Sequence, residues 1–422
     1  MIDILAEEFE TSDEGFKMNN EFRLSILLWV DDVVSCANGI EEQKIMLKKI
    51  NDFAVRHKLK WGNEKCKYMK VGKHKDEQNK WKIGEMEIQE CNSYKYLGDI
   101  ISNDGKNLKN IEARKEKINA STITINTIAE SDILNRIESA VLIELHEKVN
   151  IPGLLANCES WNLNKGETVE IERIETQAIK YLFDLPIHTP TPALLFTFGI
   201  LYTESRIEQK QILYLHKILS RGQSHWTKMI LETLKDKKTG WYKSMIEKLN
   251  KYGLETDFET IKSTTLNDWK RKVKNEIEKK NTERLKQELH KKDKESSTLK
   301  TKTASIAKHI SEQSYYRKPQ QEILGCTKHE TKTLIIARYG MLQCGKNFKG
   351  SMSEFCDQCK ILDDEDHRLN YCKKYIDINF YNAVKKVDFN MVYSRDMNEL
   401  REILPRIGNV WNTRNAHGTM NN

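Results

Sequence analysis

Four side chains able to ligate a metal lie within 17 residues near the C-terminus, in FCDQCKILDDEDHRLNYC: Cys356-x2-Cys359-x7-His367-x4-Cys372. Three thiolates and one imidazole form a set that zinc binds tetrahedrally. The x2 spacing makes a knuckle in which two sulfurs converge on one metal, with His367 and Cys372 at the start and end of a short turn or helix. The bland alternative, unrelated cysteines in a small core, needs four suitable ligands to coincide by chance. A second candidate is the pair Asp31 and Asp32 in EFRLSILLWVDDVVSCA, where acids interrupt two apolar runs. Carboxylate oxygens suit hard divalent cations such as magnesium. An adjacent pair in a solvated turn does nothing of the kind, but apolar strands on both sides would hold this turn rigidly at a sheet edge.

The elements that must position these groups are drawn from a chain of 422 residues, 38% hydrophobic, enough for about two to four compact units. Nine cysteines are an odd number, and six of them (Cys36, Cys66, Cys91, Cys158, Cys326, Cys344) stand singly. That pattern favours a reducing compartment and a metal site over a disulfide framework, with Cys344 read as a packed thiol. Neither a signal peptide nor an apolar run of about 18 residues is present, so a nuclear or cytoplasmic protein without membrane contact is expected. Lys and Arg total 69 against 62 acids, a net +7. Residues 268 to 302 alone hold 13 Lys/Arg and 7 Asp/Glu, an excess of +6. This Lys/Glu-rich helix could neutralise phosphates, or its interleaved acids could suit a solvated face with i,i+4 pairs.

Alternation of apolar residues predicts a hairpin over 21–37 with the acids at its tip. Asn38 and Glu41 have capping-box spacing, and Met46, Leu47, Ile50, Phe53 and Ala54 recur at helical period, predicting a helix over about 39–57. CKYMKVG, KWKIGEMEI and YKYLGDIIS read as strands, the second extending a hairpin. Beyond Gly105 the pattern is helical: IEARKEKINASTITINTI, SDILNRIESAVLIELHEKV, a helix through Val169, Ile174, Ala178 and Leu182, a turn region with Pro186, Pro190 and Pro192, and a helix through Ile207, Ile212, Leu215 and Leu219. The fold class is α+β.

LLWVDDVV resembles the aromatic-x-Asp-Asp box of reverse transcriptases, with Trp29 where Tyr or Phe is usual. LKWGNEKCKYM is similar to that family's next palm motif, and YKYLGDIIS to its primer-grip region. NIPGLLANCESWNLNKGETVEIERIETQAIKYLFDLP and ESRIEQKQILYLHKIL resemble the helical region after the palm. TLIIARYGMLQCGKNFK with the Cys/His cluster resembles the zinc module that follows the polymerase in non-LTR (LINE-type) retrotransposons. The resemblance spans roughly residues 20–375. It implies an RNA-directed DNA polymerase in which Asp31 ligates magnesium beside Asp32, and Lys65 donates a proton or stabilises charge near the departing pyrophosphate. Tyr96, Leu97 and Gly98 would hold the primer end. Partners would be an RNA template and a DNA primer or target. The zinc module is structural, or it touches nucleic acid through Arg368, Lys373 and Lys374.

The segments expected are a partial reverse-transcriptase palm (antiparallel sheet with a packed helix) over 1–105, a thumb-like and post-palm helical region over 106–200, a charged helical connection over 201–325, the zinc module over 326–376, and a tail over 377–422 of open fold. Only 30 residues precede Asp31. The family's first catalytic carboxylate and its fingers should lie further upstream than that, and Glu7, Glu8, Glu10, Asp13 and Glu14 have no apolar strand to place them. Two aspartates cannot hold two magnesium ions in line for the displacement, so the chain is expected to be inactive alone, its polymerase half supplied by another chain or absent. The competing expectation is a non-catalytic, zinc-containing RNA- or DNA-binding protein derived from a retroelement. A group II intron maturase shares the aspartate box, but the stretch Cys158 to Trp161 and the Cys/His spacing argue against it, and no restriction-like nuclease arrangement is present.

Overall fold

The computed structural model describes residues 2–10, 12–20, 22–62, 64–72, 81–130, 137–223, 225–295, 323, 325–339, 341–342, 344, 353–372 and 397–418. In chain order the elements begin with α1 (Ile2–Glu10), β1 (Phe16–Lys17), β2 (Arg23–Leu24), β3 (Ile26–Trp29), β4 (Asp32–Ser35), α2 (Ile40–Arg56), β5 (Lys67–Tyr68), β6 (Trp81–Ile83), β7 (Met86–Glu90), β8 (Ser93–Tyr96) and β9 (Asp99–Ser102). Helices follow: α3 (Leu108–Glu130), α4 (Ser139–Leu145), α5 (Ile151–Leu154), α6 (Lys165–Leu182), α7 (Thr191–Phe198), α8 (Thr203–Leu219), α9 (Trp226–Lys237), α10 (Gly240–Lys251), α11 (Phe258–Ser263), α12 (Leu266–Glu295), α13 (Lys328–Arg338), α14 (Glu365–Asn370) and α15 (Met397–Gly418). Among the described residues no helix is long and apolar enough to cross a membrane.

The fold is mixed α and β, but the strands of the first hundred residues form four small separate sheets rather than one palm-like sheet. Three are two-stranded and antiparallel. In the fourth, β7 lies between β5, its parallel neighbour, and β6, its antiparallel one. The physical reason is length: each apolar run is only two to five residues long and is spent in pairing with its hairpin partner.

The chain divides into two compact units. The first comprises Met1–Ala113, Glu159–Glu167 and Gln211–Trp269. Its α/β core joins Leu5 and Phe9 of α1 to Met46, Ile50 and Phe53 of α2 and to Trp81, Ile83 and Ile88 of the β6–β7 hairpin. The periodicity of α2 is as the sequence implies, but its N-terminus is not. Gly39 is the N-cap, and the acid that reaches back is Glu42, which accepts from the Asn38 and Gly15 N–H groups at 2.8 Å each. Glu41 instead pairs with Lys44. Glu42 wins because it ties the helix start to the distant Gly15 turn as well as to its own first turn. Nearby, Glu8 is bonded to Arg56 at 2.6 Å and Glu14 to Lys49 at 2.7 Å; the Lys49 hydrogen bond holds the Glu14 carboxyl below its ordinary range.

The second unit comprises Arg114–Cys158, Thr168–Lys210 and Lys270–Asn422, and its core runs from Ile125 through Leu182, Phe183 and α7 to α13 and α15. The proline-rich stretch is not all turn: Pro192 occupies the first turn of α7, where a missing N–H costs nothing, and Gly199 closes that helix at φ 64°. Between α4 and α5 the helix passes through a π turn, His146–Asn150, which turns His146 and Asn150 inward. The Lys/Glu-rich α12 buries Val273, Ile277 and Leu285 on one face. Arg284 from the same helix stacks 3.8 Å above the Tyr202 ring and meets Glu204 at 2.8 Å, Glu288 at 2.9 Å and Glu172 at 3.5 Å.

Burial pushes the Glu172 carboxyl up to about 7, and Glu204 and Glu288 add to that against the pull of Arg284. Its folded value lies above the unfolded 4.5, so the folded protein holds that proton more tightly and loses stability as pH rises from 4.5 through 7. Glu172→Gln is therefore expected to stabilise the protein at pH 8 by something on the order of 2 kcal/mol and to be neutral near pH 4.5. Urea unfolding of both proteins at the two pH values measures the difference.

Candidate functional site

The β3–β4 hairpin pairs Ile26 with Ser35 and Trp29 with Asp32, which leaves Val30 and Asp31 as a two-residue loop. Asp31 is thus at the tip, as the sequence predicts, and Asp32 opens β4; both are exposed. The loop needs left-handed backbone, which Asn and Gly adopt easily and a β-branched residue does not. Val30 nevertheless sits at φ 55° and is 76% exposed. Val30→Asn is expected to raise stability by about 1 kcal/mol in urea unfolding, since no packing is lost and the left-handed penalty of roughly 1–2 kcal/mol falls.

YKYLGDIIS is not one strand but the hairpin β8–β9, closed by Leu97 at φ 46° and Gly98 at φ 92° between the paired Tyr96 and Asp99. Glycine at the second loop position is the signal that identifies the turn. This hairpin approaches the aspartate tip. Burial pushes both the Tyr94 and Tyr96 phenols up, and the negative charge of Asp32 pushes each further. The Tyr94 hydroxyl also donates to the Lys65 carbonyl at 3.0 Å, in the segment just before β5. Asp32, Tyr94, Tyr96 and Lys65, separated by up to 64 positions in sequence, therefore share one neighbourhood of the first unit. The Lys65 side chain is exposed.

Magnesium is a poor fit to the tip as it stands. Among the described residues no third carboxylate, histidine or cysteine joins Asp31 and Asp32 in a ligand cluster. Glu8 and Glu14 are held by Arg56 and Lys49.

The Cys/His cluster is different. Cys356, Cys359, His367 and Cys372 come together with their ligand atoms all within 4.8 Å of one another. Backbone bonds fold the knuckle: Lys360 N–H donates to Cys356 C=O, and Cys356 N–H to Ile361 C=O, each at 2.8 Å. Lys360 makes the turn at φ 58°. Asp364 caps α14 by accepting from the His367 N–H at 2.8 Å, and Cys372 N–H donates to His367 C=O at 2.7 Å. These contacts bring the ends of the x7 and x4 gaps back to the knuckle.

The residues fit zinc on two counts. Cys372 Sγ lies 3.7 Å from Cys356 Sγ and 4.0 Å from Cys359 Sγ. A tetrahedron with Zn–S arms of about 2.3 Å has S···S edges of about 3.8 Å. Both imidazole nitrogens of His367 are buried without a hydrogen-bond partner, an expense that a metal bond removes. Burial pushes the Cys356 thiol up, yet the His367 imidazole and the N–H groups of the knuckle outweigh it and bring the thiol down to about 7. That is the direction a thiolate ligand needs.

Cys344 is buried and stands outside the cluster. Arg368 is buried too, its guanidinium bonded twice to Asp363, with Nε at 2.6 Å from Oδ1. It holds the knuckle strand to α14, and its charge faces Asp363 rather than solvent. Lys373 and Lys374 lie outside the described residues. What sequence reasoning missed is this Asp363–Arg368 brace; the acid-rich DDED between the ligands was its only signal. The chain matches no known protein-family model and no curated protein.

Proposed function

We propose that this chain is the aspartate-hairpin, helical and zinc-module portion of a reverse transcriptase of the non-LTR type, acting on an RNA template and a DNA primer or target. The observation that carries the reading is the convergence of Asp32 with Tyr94, Tyr96 and the Lys65 segment. An acidic tip facing a second hairpin is the arrangement expected where a primer terminus is held beside a catalytic carboxylate. In this reading Tyr96, Leu97 and Gly98 grip the primer end and Asp31 stands at the reacting centre. The two aspartates lack a third ligand, so polymerisation requires a carboxylate contributed from outside the described residues.

A second reading is favoured by one observation. The Cys/His centre has ligand geometry on its own, whereas the aspartate tip does not. The chain is then a non-catalytic zinc-containing protein that binds RNA or DNA. Primer extension on an RNA template in magnesium buffer separates the two readings. The chain, its Asp31→Asn variant, and each mixed with a separately expressed fingers and upper-palm fragment are compared. Extension only in the wild-type mixture supports the polymerase reading. No extension in either mixture, with salt-sensitive RNA binding retained, establishes the binding protein.

A further inference from the structure

The first unit contains a second place where chemistry is unaccounted for, among α8, α9, α10 and α11. A cavity of about 150 Å³ opens there. Lys228, in the first turn of α9, lines it and is only 4% exposed. Long basic side chains usually reach water or a carboxylate when their stems are buried. Among the described residues no acceptor or carboxylate is bonded to the Lys228 ammonium.

The other charges around the cavity are already committed. Lys235 stands 3.7 Å from Glu232, and Lys262 3.9 Å from Glu259. Asp257 accepts from the Thr260 N–H at 3.0 Å and its hydroxyl at 2.7 Å, capping α11. Lys228 is thus the one cation of the lining left without a counter-charge. The walls are Leu219 and Phe258, both buried, with Tyr242 set edge-on to Phe258 at 5.7 Å between ring centroids.

We propose that this cavity binds a small monocarboxylate with a flat or apolar body, its carboxylate on Lys228 and its body against Phe258, Tyr242 and Leu219. One uncompensated positive charge selects one negative charge. A phosphate monoester carries close to two, and would meet Glu232, Asp257 and Glu259 in the same lining. The aromatic pair supplies the apolar surface and Lys228 fixes the orientation, the usual division of labour in a small-molecule pocket. The site does not depend on the polymerase or nucleic-acid readings.

The test is isothermal titration of the full chain with benzoate, benzamide and inorganic phosphate, repeated on Lys228→Met, with thermal melting as a second readout. Benzoate is expected to bind saturably, benzamide and phosphate at least tenfold more weakly, and Lys228→Met to lose at least tenfold in benzoate affinity. Benzoate should raise the melting temperature of the wild type and leave that of Lys228→Met unchanged. Absence of saturable benzoate binding overturns the proposal, as does equal affinity for benzamide, a comparison that needs no variant. Phosphate binding as tight as benzoate overturns the monocarboxylate assignment, and a Lys228→Met protein that melts normally and still binds benzoate removes Lys228 from the site.

Discussion

The purified chain is expected to carry about one zinc ion per molecule, and Cys372→Ser to abolish it. Cys372 is the ligand to choose because its sulfur is the one within 4.0 Å of both other sulfurs, and it is fully buried. Structural zinc sites contribute apparent binding free energies of about 10–16 kcal/mol in small modules, and much of that is folding energy. Residues 353–372 contain one helix of six residues and one isolated bridge, Phe355 to Leu362, which is too little regular structure to persist unaided. Chelation should therefore unfold the module and free Leu369, which is packed into the core of the second unit. Metal content by mass spectrometry, together with near-UV circular dichroism before and after chelation, measures both effects. Cys344→Ser is the control and should keep its zinc, since that thiol lies outside the cluster. A chain with far less than one zinc, unchanged by chelator, would refute the assignment.

The second large effect is expected at Glu175, on α6 of the second unit. Its carboxylate is 1% exposed, lies 3.7 Å from both Arg206 and His146, and accepts from the Thr203 hydroxyl. Arg206 is further held by two bonds to Glu147, at 3.0 and 2.7 Å. Glu175→Ala removes the central anion and leaves Arg206 and His146 facing an apolar interior. Deleting one partner of a buried pair costs about 3–5 kcal/mol, more than the pair itself contributes, because the remaining charge cannot be solvated. Arg206 keeps Glu147, so the lower end of that range is expected.

Acid should reveal the same group. Burial pushes the Glu175 carboxyl up, but the Arg206 charge, the His146 contact and the Thr203 hydrogen bond outweigh it and hold the group below its ordinary 4.5. A depressed folded value means the stabilisation is complete above 4.5 and disappears as pH falls through the lower folded value. The advantage of wild type over Glu175→Gln should be constant from pH 8 to 5 and shrink only below that. Glu172, one turn away, titrates in the opposite sense. Urea titrations from pH 8 to 3.5 on the two single variants separate these contributions. A wild-type advantage over Glu175→Gln that already falls between pH 7 and 5 would show that Glu175 is not the anion of the pair.

Much of this molecule was decided by its sequence. The hairpin at Asp31 follows from short apolar runs on both sides of a polar break, and α2 and α8 from 3.6-residue periodicity that a buried face must have. The zinc centre was legible because its ligands are close in the chain, so the spacing itself limits the geometry. Only the tertiary structure decided the rest. Sequence could not tell that YKYLGDIIS bends at Leu97 and Gly98, since a two-residue loop interrupts the alternation without a change in composition. Nor could it tell that the sheets stay separate, or that Glu42 rather than Glu41 closes the start of α2 through Gly15, 27 residues away. The fates of Arg368, Glu175 and Lys228 were hidden for one common reason. A charged residue has the same local pattern whether it meets water or a buried partner, and which it meets is set by elements tens of residues distant that pack around it.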